Sequence, residues 1–203
     1  MAGDTAAVRK RNRGLGQRQW RRRAWLLTPV LGLGIVASLG LIVFPRLATS
    51  VETPAQQANG PTVPDFAIRT LDGGTFRLSE HRGRVVAVYT MAGWCRSCIP
   101  EAQAWARLYP EYHQRGLDVL VLSVDPTDTP GSLAGFWDRA GRQVSTLTWA
   151  IDKDQMLTRL LDVRTLDQTI IIDREGRVAY VDYGPTSPDQ LRRIIDQLKQ
   201  EGQ

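Results

Sequence analysis

Cysteine and histidine are nearly missing from this chain of 203 residues, which has two of each. Two cysteines cannot build a multi-bridge disulfide scaffold. With only His81 and His113 to help, they are not read as a closed four-ligand zinc site either. The folded part also lacks a positive surplus, although the whole chain carries a formal charge of +5. Arg9, Lys10, Arg11, Arg13, Arg18, Arg21, Arg22 and Arg23 crowd the first 25 residues against one acid, Asp4. From residue 61 onward, 17 Lys/Arg face 19 Asp/Glu. The basic character belongs to an N-terminal arm, and a nucleic-acid face is not expected, because phosphate binding needs clustered cations on the folded surface.

Charge is wholly absent from Leu26 to Phe44. Nineteen helical residues reach about 28 Å, close to the ~30 Å hydrocarbon core of a bilayer. Pro29 stands near the start, where a missing N–H does least harm. The arginine cluster precedes this run and only Arg46 directly follows it, which places residues 1–25 in the cytoplasm and the remainder outside. A cleaved signal peptide is the rival reading, with Ala48-Thr49-Ser50 as small residues at a cleavage site and Arg22-Arg23 faintly like a twin-arginine signal. The apolar run exceeds the usual ~7–15 residues of a signal core, which favours an uncleaved anchor. No cysteine precedes Cys95, so a lipid-modified cysteine is excluded as the anchor. The expected organisation is a basic cytoplasmic arm (1–25), a transmembrane helix (26–44), a polar tether (45–63) and one globular domain (64–203). A flexible tether of this length spans roughly 25 Å and would hold the domain near the membrane surface.

The globular part reads as an α/β fold. Apolar residues alternate on both sides of Asp72-Gly73-Gly74, a hairpin signal. Val85–Thr90 and Leu117–Val124 are buried strands. Cys98–Gln114 has helical spacing through Ile99, Ala102, Trp105, Ala106, Leu108, Tyr109 and Tyr112. Ser132 is the predicted cap of a helix carrying Leu133, Phe136 and Trp137. A short extended piece at 149–151 and a helix over 155–161 follow. Strands over 169–172 and 177–183 flank the turn Asp173-Arg174-Glu175-Gly176, and Ser187-Pro188 opens a last helix.

Chemistry concentrates in Trp94-Cys95-Arg96-Ser97-Cys98, between a buried strand and a helix start. A thiolate at a helix N-terminus meets unpaired N–H groups and the positive dipole end, which lower its pKa. Cys95, expected at the exposed cap, is the candidate nucleophile. Cys98, one turn further and deeper, would resolve a mixed disulfide. Arg96 would favour the Cys95 thiolate, and Trp94 would flank it with a flat apolar surface. A purely structural disulfide here would close only four residues and gain little loop entropy.

The chain resembles the TlpA/ResA group of membrane-anchored thioredoxin-like proteins over about residues 62–199. The carrying residues are Pro64-Asp65-Phe66, Leu71-Asp72-Gly73, Leu78-Ser79, Arg82-Gly83-Arg84-Val85-Val86, Trp94-Cys95-Arg96-Ser97-Cys98, Glu101, Ser123-Val124-Asp125 and Ile172-Asp173-Arg174-Glu175-Gly176. The resemblance implies a thioredoxin-like central mixed sheet flanked by helices, with an N-terminal β-hairpin. It implies exchange with extracytoplasmic thiol and disulfide proteins, fed by an upstream membrane electron donor, without a cofactor. Some members of the group serve cytochrome c maturation. Glu101 matches an acid that the group carries, which makes it either a proton relay near Cys98 or a first-turn glutamate favoured by the dipole.

One departure stands out. Thioredoxin-like proteins place a cis-proline opposite the cysteine pair, but no proline lies between Gly131 and Gly184, and Asp167 takes that position. A non-proline cis bond costs about 2.5–4 kcal/mol, so a trans peptide is expected. Asp167 is then either a carboxylate opposing the thiolate or a solvated loop residue. Two other classes remain in view. Leu166-Asp167-Gln168-Thr169 resembles the Sco-type copper loop, with Gln168 where the ligand histidine would stand, so two thiolates alone would have to hold Cu(I). A peroxiredoxin would want threonine where Ala92 stands. Trp105, Trp137 and Trp149 read as core or groove aromatics, and neither histidine is expected to be catalytic.

Overall fold

A computed structural model describes residues 60–200 of the chain. The predicted arm and membrane span, and all but the last residues of the tether, lie outside the described residues. Within them, no helix is long and apolar enough to cross a membrane.

Strands β1 (Ala67–Arg69) and β2 (Thr75–Arg77) pair antiparallel around Asp72-Gly73-Gly74. Gly73 adopts a φ of 88°, which only glycine takes without strain. The main sheet holds β3 (Val85–Met91), β4 (Leu117–Ser123), β5 (Thr148–Ile151), β6 (Gln168–Ile172) and β7 (Val178–Val181), in the order β5-β4-β3-β6-β7. β4 runs parallel to β3 and β5 parallel to β4, while β6 is antiparallel to β3 and β7 to β6. Every residue of β3 and β4 is buried, because elements cover both faces and the continuous apolar runs need shelter on both sides.

Strand alternation sorts the core into two halves. Val85, Ala87, Tyr89 and Met91 face helices α1 (Ile99–His113) and α4 (Pro188–Gln200) with Ala102, Trp105, Leu191 and Ile195. Val86 and Val88 face the other way, onto Phe66, Phe76, Leu78 and Leu157. Helix α2 (Pro130–Ala140) adds Leu133 and Phe136 to the first half, and the short α3 (Met156–Leu160) adds Leu157 to the second.

Three local expectations shift. The cap of α2 is Thr129, not Ser132: the Thr129 hydroxyl accepts from the Ser132 N–H, and Ser132 Oγ answers by accepting from the Thr129 N–H. Ser132 sits three residues inside because Pro130 takes the first helical position, where its missing N–H is harmless. Helix α3 starts only at Met156, since Gln155 has a φ of 55° and Asp152 accepts from the Leu157 and Thr158 N–H groups instead. Strand β7 stops at Val181: the Asp182 N–H still donates to the Thr169 carbonyl, but the Thr169 N–H turns to the Asp182 side chain instead of its backbone.

At the pole where β3 and β4 start, Asp118 gathers Arg84 (Nε at 2.6 Å), His81 (Nδ1 at 2.6 Å) and His113 (Nδ1 at 3.1 Å). His81 also stacks on Phe76, its ring centroid 4.1 Å away, so this cluster ties the hairpin to the sheet. Both histidines therefore have structural partners far along the strands from the cysteines.

Candidate active site

The C-terminal ends of β3 and β4 and the start of β6 lie at one pole of the sheet, because Met91 pairs with Ser123 and Thr90 with Gln168. The chain leaves β3 through Ala92-Gly93-Trp94 and reaches α1 through the cysteine segment. Cys95 and Cys98 are joined in a disulfide, with Cα atoms 5.5 Å apart. The Cys95 N–H bonds to the Ala92 carbonyl, and the Ala102 N–H bonds to the Cys98 carbonyl, which starts α1. Cys98, not Cys95, is the residue at the N-cap of that helix. Cys95 is also not the open cap residue expected. It is 4% exposed and Cys98 is fully buried, whereas Trp94, at 65%, Arg96 and Ser97 stand out in solvent around them. Ser97 Oγ lies 3.4 Å from Cys95 Sγ. Arg96 makes no ion pair among the described residues.

The segment before Cys95 is clamped on three sides. The Gly93 N–H donates to Asp128 Oδ2 at 2.6 Å, and Arg139 donates to the Gly93 carbonyl. Trp94 Nε1 donates to Asp125 Oδ2 at 2.8 Å. Hydrogen bonds from Thr127, then from Trp94, hold the Asp125 carboxyl below its ordinary value. Asp128 is buried and also accepts from Ser123 Oγ (2.5 Å) and Ser132 Oγ (2.8 Å). A Cβ on Gly93 would sit 2.7 Å from Asp128 Oδ1, so glycine alone fits there. Asp128 and Arg139 are not among the site residues that the sequence pattern marks. Their only local signal was Asp128-Thr129-Pro130, which reads as a helix start.

Behind Cys98 lies a cluster of buried acids. Glu101 Oε1 accepts from Thr169 Oγ1 and Oε2 from the Thr186 N–H, both at 2.6 Å. Asp182 mirrors it, accepting from the Thr169 N–H at 2.6 Å and from Thr186 Oγ1. The two threonines thus bridge two carboxyls, and neither carboxyl forms an ion pair among the described residues. Burial pushes the Glu101 carboxyl up to about 8 and raises Asp182 as well. A cavity of ≈ 320 Å³, lined by Pro100, Glu101, Gln103, Arg107 and Pro185 among others, opens Glu101 toward solvent. Glu101 is therefore no exposed first-turn glutamate but a buried acid with a value near neutrality.

Asp167 is not a solvated loop residue. It is 4% exposed, with a φ of 61°, and its Oδ1 lies 2.5 Å from the Tyr89 hydroxyl. The same hydroxyl lies 2.8 Å from the Cys98 carbonyl oxygen. Tyr89, an unremarked member of an apolar strand in the sequence, thus links Asp167 to the cysteine segment. Burial raises the Asp167 carboxyl, against the lowering bond from Tyr89. Gln168, expected beside the pair, turns to the opposite face of the sheet. Its Oε1 accepts from the Arg164 and Thr165 N–H groups and holds the loop before β6. Strand alternation explains the split, since Thr169 and Ile171 face α1 while Gln168 and Ile170 face away.

Residues 60–181 match the AhpC/TSA family. The thiol-disulfide oxidoreductase ResA of Geobacillus kaustophilus is 27% identical over 179 residues, covering 88% of this chain and 98% of its own. ResA of Bacillus subtilis is 22% identical over 88% of this chain and 95% of its own length. Among solved structures, a thioredoxin-family thiol:disulfide interchange protein from Chlorobium tepidum superposes with a TM-score of 0.61, at 20% identity, over 70% of this chain and 98% of that one.

Proposed function

Because the chain belongs to the AhpC/TSA family and is a thioredoxin-fold protein-disulfide oxidoreductase, we propose that it works outside the cytoplasm from an uncleaved membrane anchor at residues 26–44. There it reduces disulfides of secreted or membrane proteins, the disulfide of apocytochrome c among them, and draws electrons from a membrane dithiol donor. The uncharged 19-residue run and the arginines before it support the anchor and its orientation.

The observation that carries the reading of the pair is its asymmetry. Cys95 keeps an edge in solvent between exposed Trp94 and Arg96, while Cys98 has none. In the reduced protein the Cys95 thiolate attacks a partner disulfide. A Cys95–partner S–S bond forms, and the partner's other sulfur leaves as a thiolate that takes a proton from water. Cys98 then loses its proton to a base and attacks Cys95 Sγ. The intramolecular disulfide forms, and the second partner sulfur leaves with the electron pair. Glu101, one turn along α1 and held up to about 8, suits the role of that base, with its cavity as the path of the proton to solvent.

In the full-length chain, Cys98→Ser should accumulate a mixed disulfide with a partner protein through Cys95, and Cys95→Ser should accumulate none. Equal trapping by both variants, or by neither, would reject this assignment. The reduction potential of the pair decides direction: a value near that of thioredoxin, about −270 mV, fits a reductase, and one near about −120 mV an oxidase.

A further inference from the structure

We infer that Asp167 works as a neutral, proton-bearing acid, and that with Tyr89 it forms a chain that positions the Cys98 peptide and couples the redox pair to the ionisation of Asp167. The Tyr89 hydroxyl contacts two acceptors, the Cys98 carbonyl at 2.8 Å and Asp167 Oδ1 at 2.5 Å, and has one hydrogen to give. If Asp167 were a carboxylate, one of these two short contacts would hold no hydrogen. If Asp167 carries a proton on Oδ1, both are hydrogen bonds: the Asp167 O–H donates to Tyr89 Oη, and the Tyr89 O–H donates to the Cys98 carbonyl.

The other carboxyl oxygen argues the same way. Asp167 Oδ2 is buried and accepts no hydrogen bond from any described residue. A charged carboxylate with one donor in an apolar core is far more costly than a neutral acid with one bare carbonyl oxygen. The surroundings supply no compensation. The titratable groups that act on Tyr89 are Asp167 itself, Glu101 from α1 and Asp182 from beyond β7, and Asp167 and Asp182 in turn act on Glu101. None of the three acids forms an ion pair among the described residues. Burial lifts the carboxyls of Asp167, Glu101 and Asp182 alike. The positive φ of Asp167 is a conformation that aspartate tolerates better than most residues, and the side chain meets the Tyr89 hydroxyl in the interior rather than solvent.

This inference rests on the exchange chemistry proposed above in one respect: the Cys98 sulfur must pass through a thiolate. A neutral Asp167 leaves that thiolate unopposed. Once Asp167 ionises, its charge and the thiolate repel each other, and the reduced form loses stability. Asp167 is in this sense a positioning residue with an electrostatic consequence.

The test uses the full-length chain in detergent. The ¹³C carboxyl resonance that disappears in Asp167→Asn is assigned to Asp167. In the oxidised wild type at neutral pH it should show the protonated shift, and a carboxylate shift there would overturn the inference. The reduction potential is then followed against pH. The wild type should turn more reducing than Asp167→Asn as Asp167 ionises with rising pH, so the two profiles separate. Profiles that stay parallel across the range would overturn the coupling. Tyr89→Phe keeps the ring in the core and removes the hydroxyl. It should slow resolution of a Cys95 mixed disulfide by about fivefold, the worth of one ordinary hydrogen bond. An unchanged resolution rate would overturn the positioning role. The carboxyl resonance is read without any partner, so its failure is distinct from a failure to trap partners.

Discussion

The peptide N–H of Gly93 donates to the buried carboxylate of Asp128, 35 positions away along the chain. Two residues before Cys95, the path of the backbone is thus set by a loop after β4, not by its own neighbours. Arg139 from α2 holds the carbonyl of the same residue. The redox segment is thus gripped by groups outside both β3 and α1, the two elements that it joins.

Gly93→Ala should therefore destabilise the protein by about 1–3 kcal/mol, the usual range for an overpacked buried site. Asp128→Ala should cost at least as much, because it strands the Gly93 N–H and the Ser123 hydroxyl. Urea unfolding of each variant measures this. Stability equal to wild type in both would show that the clamp is not a structural constraint.

The buried acids make stability fall as pH rises. Glu101 has an ordinary value of 4.5 and a folded value of about 8. The folded state therefore holds a proton that the unfolded chain has released. Its contribution is fully present below about 4.5 and is lost as pH rises through about 8. Asp167 and Asp182 act in the same direction. Asp118 opposes them at the acid end. Burial alone would raise it, but the bonds from Arg84 and His81 outweigh burial and hold it below 3.8. Its contribution is present above 3.8 and disappears as pH falls through its folded value. Maximal stability is expected on the acid side of neutrality, and Glu101→Gln should flatten the decline toward alkaline pH. Thermal unfolding scans across pH check both statements; a decline equally steep in Glu101→Gln would remove Glu101 as its source.

The membrane reading predicts that the full-length protein stays in the membrane fraction through alkaline carbonate extraction, with the cysteines of intact cells open to a membrane-impermeant thiol reagent after reduction. Release by carbonate would argue for a cleaved signal. Protection of the thiols until the cells are opened would reverse the orientation.

The amino-acid sequence alone carried a good deal of this protein. The spacing of Cys95 and Cys98, their place between an apolar strand and a helical pattern, the elements around them and the glycine turn at Asp72-Gly73-Gly74 are all local signals. Periods of 2 and 3.6 and the conformational preferences of glycine and proline act within a few residues, so they can be read in order along the chain. Even the fate of Gln168 and Thr169 on opposite faces follows from strand period once the strand start is known. What only the tertiary structure decided is which side chains meet. Asp167 and Tyr89 are 78 positions apart, as are Thr90 and Gln168, and their meeting depends on the antiparallel register of β6 against β3. Glu101 finds Thr186 across 85 positions. Sheet order sets those encounters, and burial then decides charge. A sequence shows three acids that would all be ionised in water. The fold buries all three without an ion-pair partner among the described residues, and Asp167, expected either as a charge opposing the thiolate or as a solvated loop residue, is instead a buried acid tied through Tyr89 to the Cys98 carbonyl.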